Sequence, residues 1–323
     1  MKIKTIVKVC VLAIGVGFIF TGMGYAFNKN VFIENKKIID SDNSTSEEYL
    51  VDSKQIEEFK NINIETDLNS IEIIPSDQYK LDLKYKKDYI NIKYKIENET
   101  LSIKEEKIKS DTYNLEYYNK NKDSSIRIYI PKGSKLNNLS ASSNISNIHL
   151  NELNVDNMDL SCDTGNINID KCKVEKLNII TATGSINVNE LDSLDSKFKS
   201  NMGNINILNS SIKENLELSN NLGHTKFKGK ISGNINVSNN LGNIELDIDK
   251  NEAEYNYNLK TDSGNIIIND EAKSRKFTKD NKSEFNMNLK CNSGNINLKL
   301  INNKNGGITM TLLKTKGIMK MLF

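Results

Sequence analysis

A phrase of the form Gly-Asn-Ile-x-Ile returns along the second half of the chain at a nearly constant interval. Its glycines are Gly165, Gly184, Gly203, Gly223, Gly242, Gly264 and Gly294. Counted from Ser146, which stands in the glycine slot of an earlier copy, the steps are 19, 19, 19, 20, 19, 22 and 30 residues. A period near 20 is the signature of a stacked, quasi-one-dimensional architecture.

The register inside each copy supports this. Five residues before the glycine stand Leu160, Ile179, Phe198, Leu218, Val237, Leu259 and Leu289, all apolar. Two after it stand Ile167, Ile186, Ile205, Thr225, Ile244, Ile266 and Ile296, and four after it Ile169, Val188, Ile207, Phe227, Leu246, Ile268 and Leu298. The residue between those two is mostly polar. Alternation with period two means strands with one buried face, and the β-branched bias agrees. The seven glycines are therefore structural turn residues, at a corner where φ > 0 is needed. One such unit cannot bury its own apolar face, whereas coils stacked at about 4.8 Å can. The expected fold is all-β: a single-stranded β-solenoid with coils of about 19 residues.

Stacking makes checkable pairs. Lys226 and Glu245 share a slot in successive coils, as do Lys228 and Asp247, so opposite charges should meet across the stack. Upstream, Asn69 fits the glycine slot of "INIETDLNSIEIIP". The segments "YKLDLKYK", "YINIKYKI" and "SIRIYI" read as antiparallel hairpin strands at the head of the rod. "NDEAKSRKFTKDNKS" swells the last interval and reads as a loop protruding from it.

The amino end is a membrane signal. Lys2, Lys4 and Lys8 precede an uncharged run from Val9 to Phe27, close to the roughly 20 residues a spanning helix needs. Gly24-Tyr25-Ala26 is small-x-small, so a cleaved signal peptide is the alternative to an anchor. The expected organisation is 1–27 transmembrane anchor or signal peptide, 28–57 polar stalk ("DSDNSTSEE"), 58–140 an N-terminal β region with antiparallel strands, 141–301 solenoid repeats, and 302–323 a degenerate last coil or tail. Gly317 would be the corner of that last coil. The bulk of the chain would be extracytoplasmic, on a single-pass anchor or secreted.

The phrases, their order and their spacing, together with "FKNINIETDLNSIEIIP" and "IRIYIPKGSKLNNL", resemble the bacterial "putative adhesin" domain of unknown function, a family built from β-strand repeats. The resemblance runs from Phe59 to Leu300. It implies a secreted or membrane-anchored protein, in some cases beside cell-envelope stress systems. No catalytic residues are established for that family, so none carries over. The tail after Leu300, apolar and basic, departs from the polar cap expected of a solenoid end.

Chemistry is sparse. The charge nearly cancels, 44 basic against 42 acidic residues, and only Arg127 and Arg275 are arginines, which gives no case for nucleic acid. The abundance of Lys, Asn and Ile also suits an AT-rich genome. Cys162 and Cys291 share a slot but lie six coils apart, about 29 Å, too far to bridge. Cys172 reads as core, and a Cys162–Cys172 bridge is the one alternative. His149 and His224 fall in different slots and make no metal pair. Glu245 and Asp247 are the carboxylate pair an enzyme would use. The Asn166, Asn204, Asn243, Asn265 and Asn295 column is a turn ladder or a glycan-binding row. No cofactor or metal is expected. The expected function is a non-enzymatic, membrane-anchored scaffold whose partners are the membrane and either an envelope glycan or a membrane protein. The alternatives are an accessory protein in envelope-stress sensing and a polysaccharide-active β-helix enzyme.

Overall fold

The computed structural model describes residues 49–108 and 123–301. Apart from one 3-10 turn at Glu252–Glu254, the regular elements among them are strands. In the Ser146, Gly165 and Gly184 coils a strand of 11 residues is followed by one of 4, in later coils the lengths even out, and like strands pair in parallel register. Leu160 lies opposite Ile179, Ile179 opposite Phe198 and Phe198 opposite Leu218. On the other side Ile167 lies opposite Ile186, and Ile186 opposite Ile205. The apolar slots five before, two after and four after the glycine all point inward, and together they form one continuous core.

The 11-residue strands also bend. In Lys173–Thr183 the buried residues Val174 and Leu177 are three apart, with Glu175 and Lys176 exposed between them. This breaks the alternation and turns the chain. A further corner lies six after the glycine, where Glu152, Lys171, Glu190 and Asn209 have φ between 51° and 54°. The coil thus closes through three direction changes rather than the single tight turn expected.

The spatial order differs from the sequence order at both ends. Phe285–Ser293 pairs with Asn234–Leu241 on one side and Tyr255–Ser263 on the other. The Gly294 coil is therefore inserted between the Gly242 and Gly264 coils. Cys162 and Cys291 are five steps apart, not six, about 24 Å. At the head, Asn61–Thr66 pairs in parallel with both Thr100–Lys107 and Lys135–Ile145. Likewise Ser70–Ser76 pairs with both Ser125–Pro131 and Ile148–Asn151. The Asn69 coil expected from the repeat pattern is thus one parallel layer, and Thr100–Lys107 with Ser125–Pro131, in the region expected to hold antiparallel hairpins, supplies a second. The antiparallel strands are the outermost ones, Leu50–Gln55, Lys80–Tyr85 and Ile90–Glu97. Residues Leu50–Gln55, expected in a polar stalk, form a strand; residues 28–48 lie outside the described residues.

Ten layers result, nine steps of about 4.8 Å, or about 43 Å of stack. The segment expected to protrude near the far end instead covers it. Glu271–Lys273 pairs antiparallel with Ile266–Ile268, and Lys276–Lys279 with Tyr255–Ser263. An antiparallel strand ends the parallel ladder without offering another coil the same register, which is how sheets protect an edge. The anchor or signal segment and the degenerate coil with Gly317 lie outside the described residues. Both neighbours of Ile296–Ile301 in the stack are occupied, by Ile244–Asn251 and Ile266–Ile268. Among the described residues no helix is long and apolar enough to cross a membrane.

Candidate functional site

The corner at the glycine is built from three columns of side chains. The glycines have φ between 129° and 149°. A Cβ on Gly184 would lie 1.9 Å from the carbonyl oxygen of Gly165, and one on Gly203 2.0 Å from that of Gly184. That carbonyl is left out of the strand ladders. The slot three before the glycine of the next coil supplies its donor: Cys162 Sγ to Ser146 O at 3.0 Å, Asn220 Nδ2 to Gly203 O at 2.9 Å, Asn239 Nδ2 to Gly223 O at 3.0 Å and Thr261 Oγ1 to Gly294 O at 2.9 Å. The slot one after the glycine does the converse. Its side chain accepts the backbone N–H of the same slot in the next coil: Asn166 Oδ1 from Ser185 at 2.8 Å, Asn204 Oδ1 from His224 at 2.8 Å and Asn243 Oδ1 from Asn295 at 2.9 Å. His224 takes part through Nδ1, which accepts from Asn243 N at 3.1 Å. This histidine is a link in the ladder, and it holds the tautomer with a bare Nδ1.

The outer face of the long-strand ladder carries further amide columns. Asn157 donates to Asn138 at 3.2 Å, Asn178 to Asp159 at 3.0 Å, Asn215 to Asp195 at 2.7 Å, Asn234 to Asn215 at 3.2 Å and Asn288 to Asn236 at 2.9 Å. Lys197 and Glu217 pair at 2.9 Å on the same face. Two adjoining depressions of about 390 and 570 Å³ lie along this face and meet at Glu217. The abundance of asparagine therefore has a structural use beyond codon composition: an amide can donate up the stack and accept from below.

The Toastrack DUF4097 family pattern matches residues 59–311. The chain belongs to that family. Among curated proteins none matches it. It is similar to a "putative cell adhesion protein" from Clostridium sporogenes, with 14% identity, 79% of this chain and 100% of that chain covered, and a TM-score of 0.27. For a "putative adhesin" from Bacteroides fragilis the corresponding values are 12%, 79%, 98% and 0.35. For a "putative lipid binding protein" from Parabacteroides distasonis they are 14%, 82%, 96% and 0.28.

In this Toastrack chain the residues singled out for chemistry are placed apart or already engaged. Lys226 Nζ meets Glu245 at 2.9 Å and Lys228 Nζ meets Asp247 at 3.7 Å, as the stacking predicts. Each member of the candidate carboxylate pair thus has its own lysine. Cys162, Cys172 and Cys291 are free and buried, so the alternative bridge does not form. Burial pushes the Cys172 thiol up to about 12, and raises Cys162 and Cys291 as well. These are inert core thiols. His149 lies on the short-strand ladder opposite Asn168, away from His224. Among the described residues no three His, Cys, Asp or Glu side chains could hold a metal ion together.

Two groups of the family chain escape sequence reasoning. Glu105 is 91% buried at the head corner. Its Oε2 accepts from Thr66 Oγ1 at 2.5 Å, Asp67 N at 2.9 Å, Leu68 N at 3.1 Å and Asn69 Nδ2 at 2.6 Å. It closes the column that smaller donors occupy in later coils, and its only sequence signal was the inward parity of "LSIKE". Asp67 beside it is raised, by burial first and then by the Glu105 charge. The other group is Thr225, which is fully buried where the other coils place isoleucine, with Oγ1 lacking a hydrogen-bond partner in the protein.

Proposed function

We propose that this chain is a non-enzymatic envelope scaffold, held at the membrane or released outside it by its first 27 residues, which displays the outer face of its long-strand ladder to an envelope component. One observation carries the reading: the polar side chains at the corners are spent on joining coil to coil, while the outer amide columns keep hydrogen-bonding capacity facing solvent. A hydrolase built on this rod would need two carboxylates free to act on one bond. Glu245 and Asp247 instead each face a lysine. The rigid parallel stack suits presentation, because a pre-formed face loses little conformational freedom on binding.

The test is capture from cross-linked native cells, with the full chain beside a form lacking residues 1–27. The scaffold reading expects cell-wall material or an outside partner on both forms. Capture of a membrane protein by the anchored form alone would favour an accessory role in envelope-stress sensing. Measurable cleavage of any envelope polysaccharide, lost on E245Q, would overturn the non-enzymatic reading.

A further inference from the structure

The outer amide columns run in two parallel files. In one, Lys176 and Asp195 stand between Asn138–Asn157 and Asn215–Asn234; in the other, Lys197 and Glu217 stand between Asn178 and Asn236–Asn288; both files follow the stack axis, because each residue pairs with the one at its position in the next coil. An amide side chain offers two N–H groups and two lone pairs. In the ladder Asn157 spends one N–H on Asn138 Oδ1, and Asn215 spends one N–H on Asp195 while accepting one from Asn234. Each such amide retains a donor or an acceptor for solvent; adjacent amides lie about 4.8 Å apart, and the charged pair between the two runs of each file separates them by about 14 Å. The side chains are already ordered by their neighbours, so a ligand that bonds to them freezes few rotors.

The charges on this face decide the kind of ligand. Lys197 and Glu217 neutralise each other at 2.9 Å. Asp159 and Asp195 each hold an amide at 3.0 and 2.7 Å. No arginine lines either depression; of the other lining lysines, Lys260 pairs with Asp262 at 2.8 Å beside Lys290, and Lys176 lies in the other depression, so no guanidinium fork is offered to phosphate or carboxylate. The lining has no aromatic ring, so a greasy peptide anchor has no pocket. A long, shallow strip in which amides and serines alternate with four lysines and three carboxylates, close to charge balance, matches a polymer of hydroxyl groups.

We infer that the groove from Asn157 through Glu217 to Asn258 binds a linear, uncharged polysaccharide lying along the rod axis. This rests on the scaffold reading above and names its ligand class and its face. Ser219 and Ser238 line the groove in neighbouring coils, so bulk placed there blocks the path without removing a ladder amide.

The test is biolayer interferometry of the full chain in a polyoxyethylene detergent, which has no sugar head group to compete. The immobilised probes are mixed-linkage β-glucan, dextran and galactomannan, with polygalacturonate and duplex DNA as charged polymers. At least one neutral polymer should bind, and the charged ones should not. S238K and N178L should each weaken that binding at least tenfold, with unchanged circular dichroism. N206L, an amide of the opposite face, should leave it within twofold. S238K guards against N178L merely loosening the fold. Equal binding by wild type, S238K and N178L would remove the groove and leave the scaffold reading standing. Binding to none of the neutral polymers, with cell-wall material still captured, would overturn the ligand class alone. Failure of both experiments would overturn both readings.

Discussion

Gly184 and Glu190 stand at two corners of one coil, both with positive φ, at 141° and 54°. Only the first has to be glycine. Its φ lies outside the left-handed well that other residues visit, and its missing Cβ leaves room for a carbonyl 1.9 Å from where that atom would be. G184A should therefore cost about 3 kcal/mol or more in urea unfolding, or prevent folding. Glu190 sits in the ordinary left-handed well, at a cost of roughly 1 kcal/mol relative to glycine. E190G should be neutral or stabilising by up to about 1 kcal/mol; a loss as large as that of G184A would mean the two corners are misassigned. Thr225 makes the complementary case. Its hydroxyl is buried without a partner, which costs about 1–3 kcal/mol. T225I, restoring the residue of the neighbouring coils, should raise the thermal midpoint. A lower midpoint would show that the hydroxyl has a partner the protein itself does not supply.

At the scale of elements, the sequence told which strands exist better than it told which strands touch. The apolar slots are local, and period two is visible in any single copy, so Leu160 and Ile167 were legible as core. The second corner was not, because four ordinary residue types, glutamate, lysine, glutamate and asparagine, fill it; the only trace was the buried Leu153, Cys172 and Leu191 that follow. Stack order was illegible for a different reason. Every coil presents nearly the same edge to its neighbours, so the repeat pattern does not distinguish the Gly264 coil from the Gly294 coil as the neighbour of Gly242. What decides it is the segment between them. Residues 269–283 carry charge and one large apolar side chain, Phe277, which packs edge-to-face on Tyr257 with ring centroids 6.1 Å apart. Such a segment caps an end and cannot be buried in the middle of a stack. Replacing residues 270–282 with a short Gly-Ser turn should therefore uncover the outer edges of Tyr255–Ser263 and Ile266–Ile268. The expected readout is concentration-dependent self-association in sedimentation velocity. A variant that stays monomeric at every concentration would rule out a protective role for the cap. The amide groove was half legible: the asparagines were plain in the sequence, but their grouping into files on one face depends on the register of strands about 20 residues apart.

For the molecule as a whole, buried acids set the response to alkali, two of them at the far end of the rod. Tyr255 and Tyr257 are buried there, and their hydroxyls donate to Ile231 O at 2.8 Å and Glu252 O at 2.6 Å. Desolvation is the largest cause that raises both phenols well above their ordinary value of 10.0, as it raises the Cys172 thiol from 9.0 to about 12. All three groups are neutral in the native rod, whereas the unfolded chain releases these protons at the ordinary values. The unfolded state therefore binds fewer protons than the native state once pH passes about 9, and stability must fall as pH rises. Below that pH both states hold these protons, and the contribution is fully present. The urea midpoint should be flat between pH 7 and 8.5 and fall steadily from pH 9 to 11. Lysines also titrate at the top of that range, so the assignment needs a variant. Y255F removes one titrating group while keeping the ring in the core. At pH 7.5 it should lose about 1 kcal/mol with the hydrogen bond to Ile231, yet its midpoint should fall less steeply above pH 10 than that of the wild type. Parallel curves for the two proteins would exclude Tyr255 as a source of the alkaline loss. A crossing or convergence would place part of the rod's alkali sensitivity in the Gly264 coil, the outermost parallel layer at the far end.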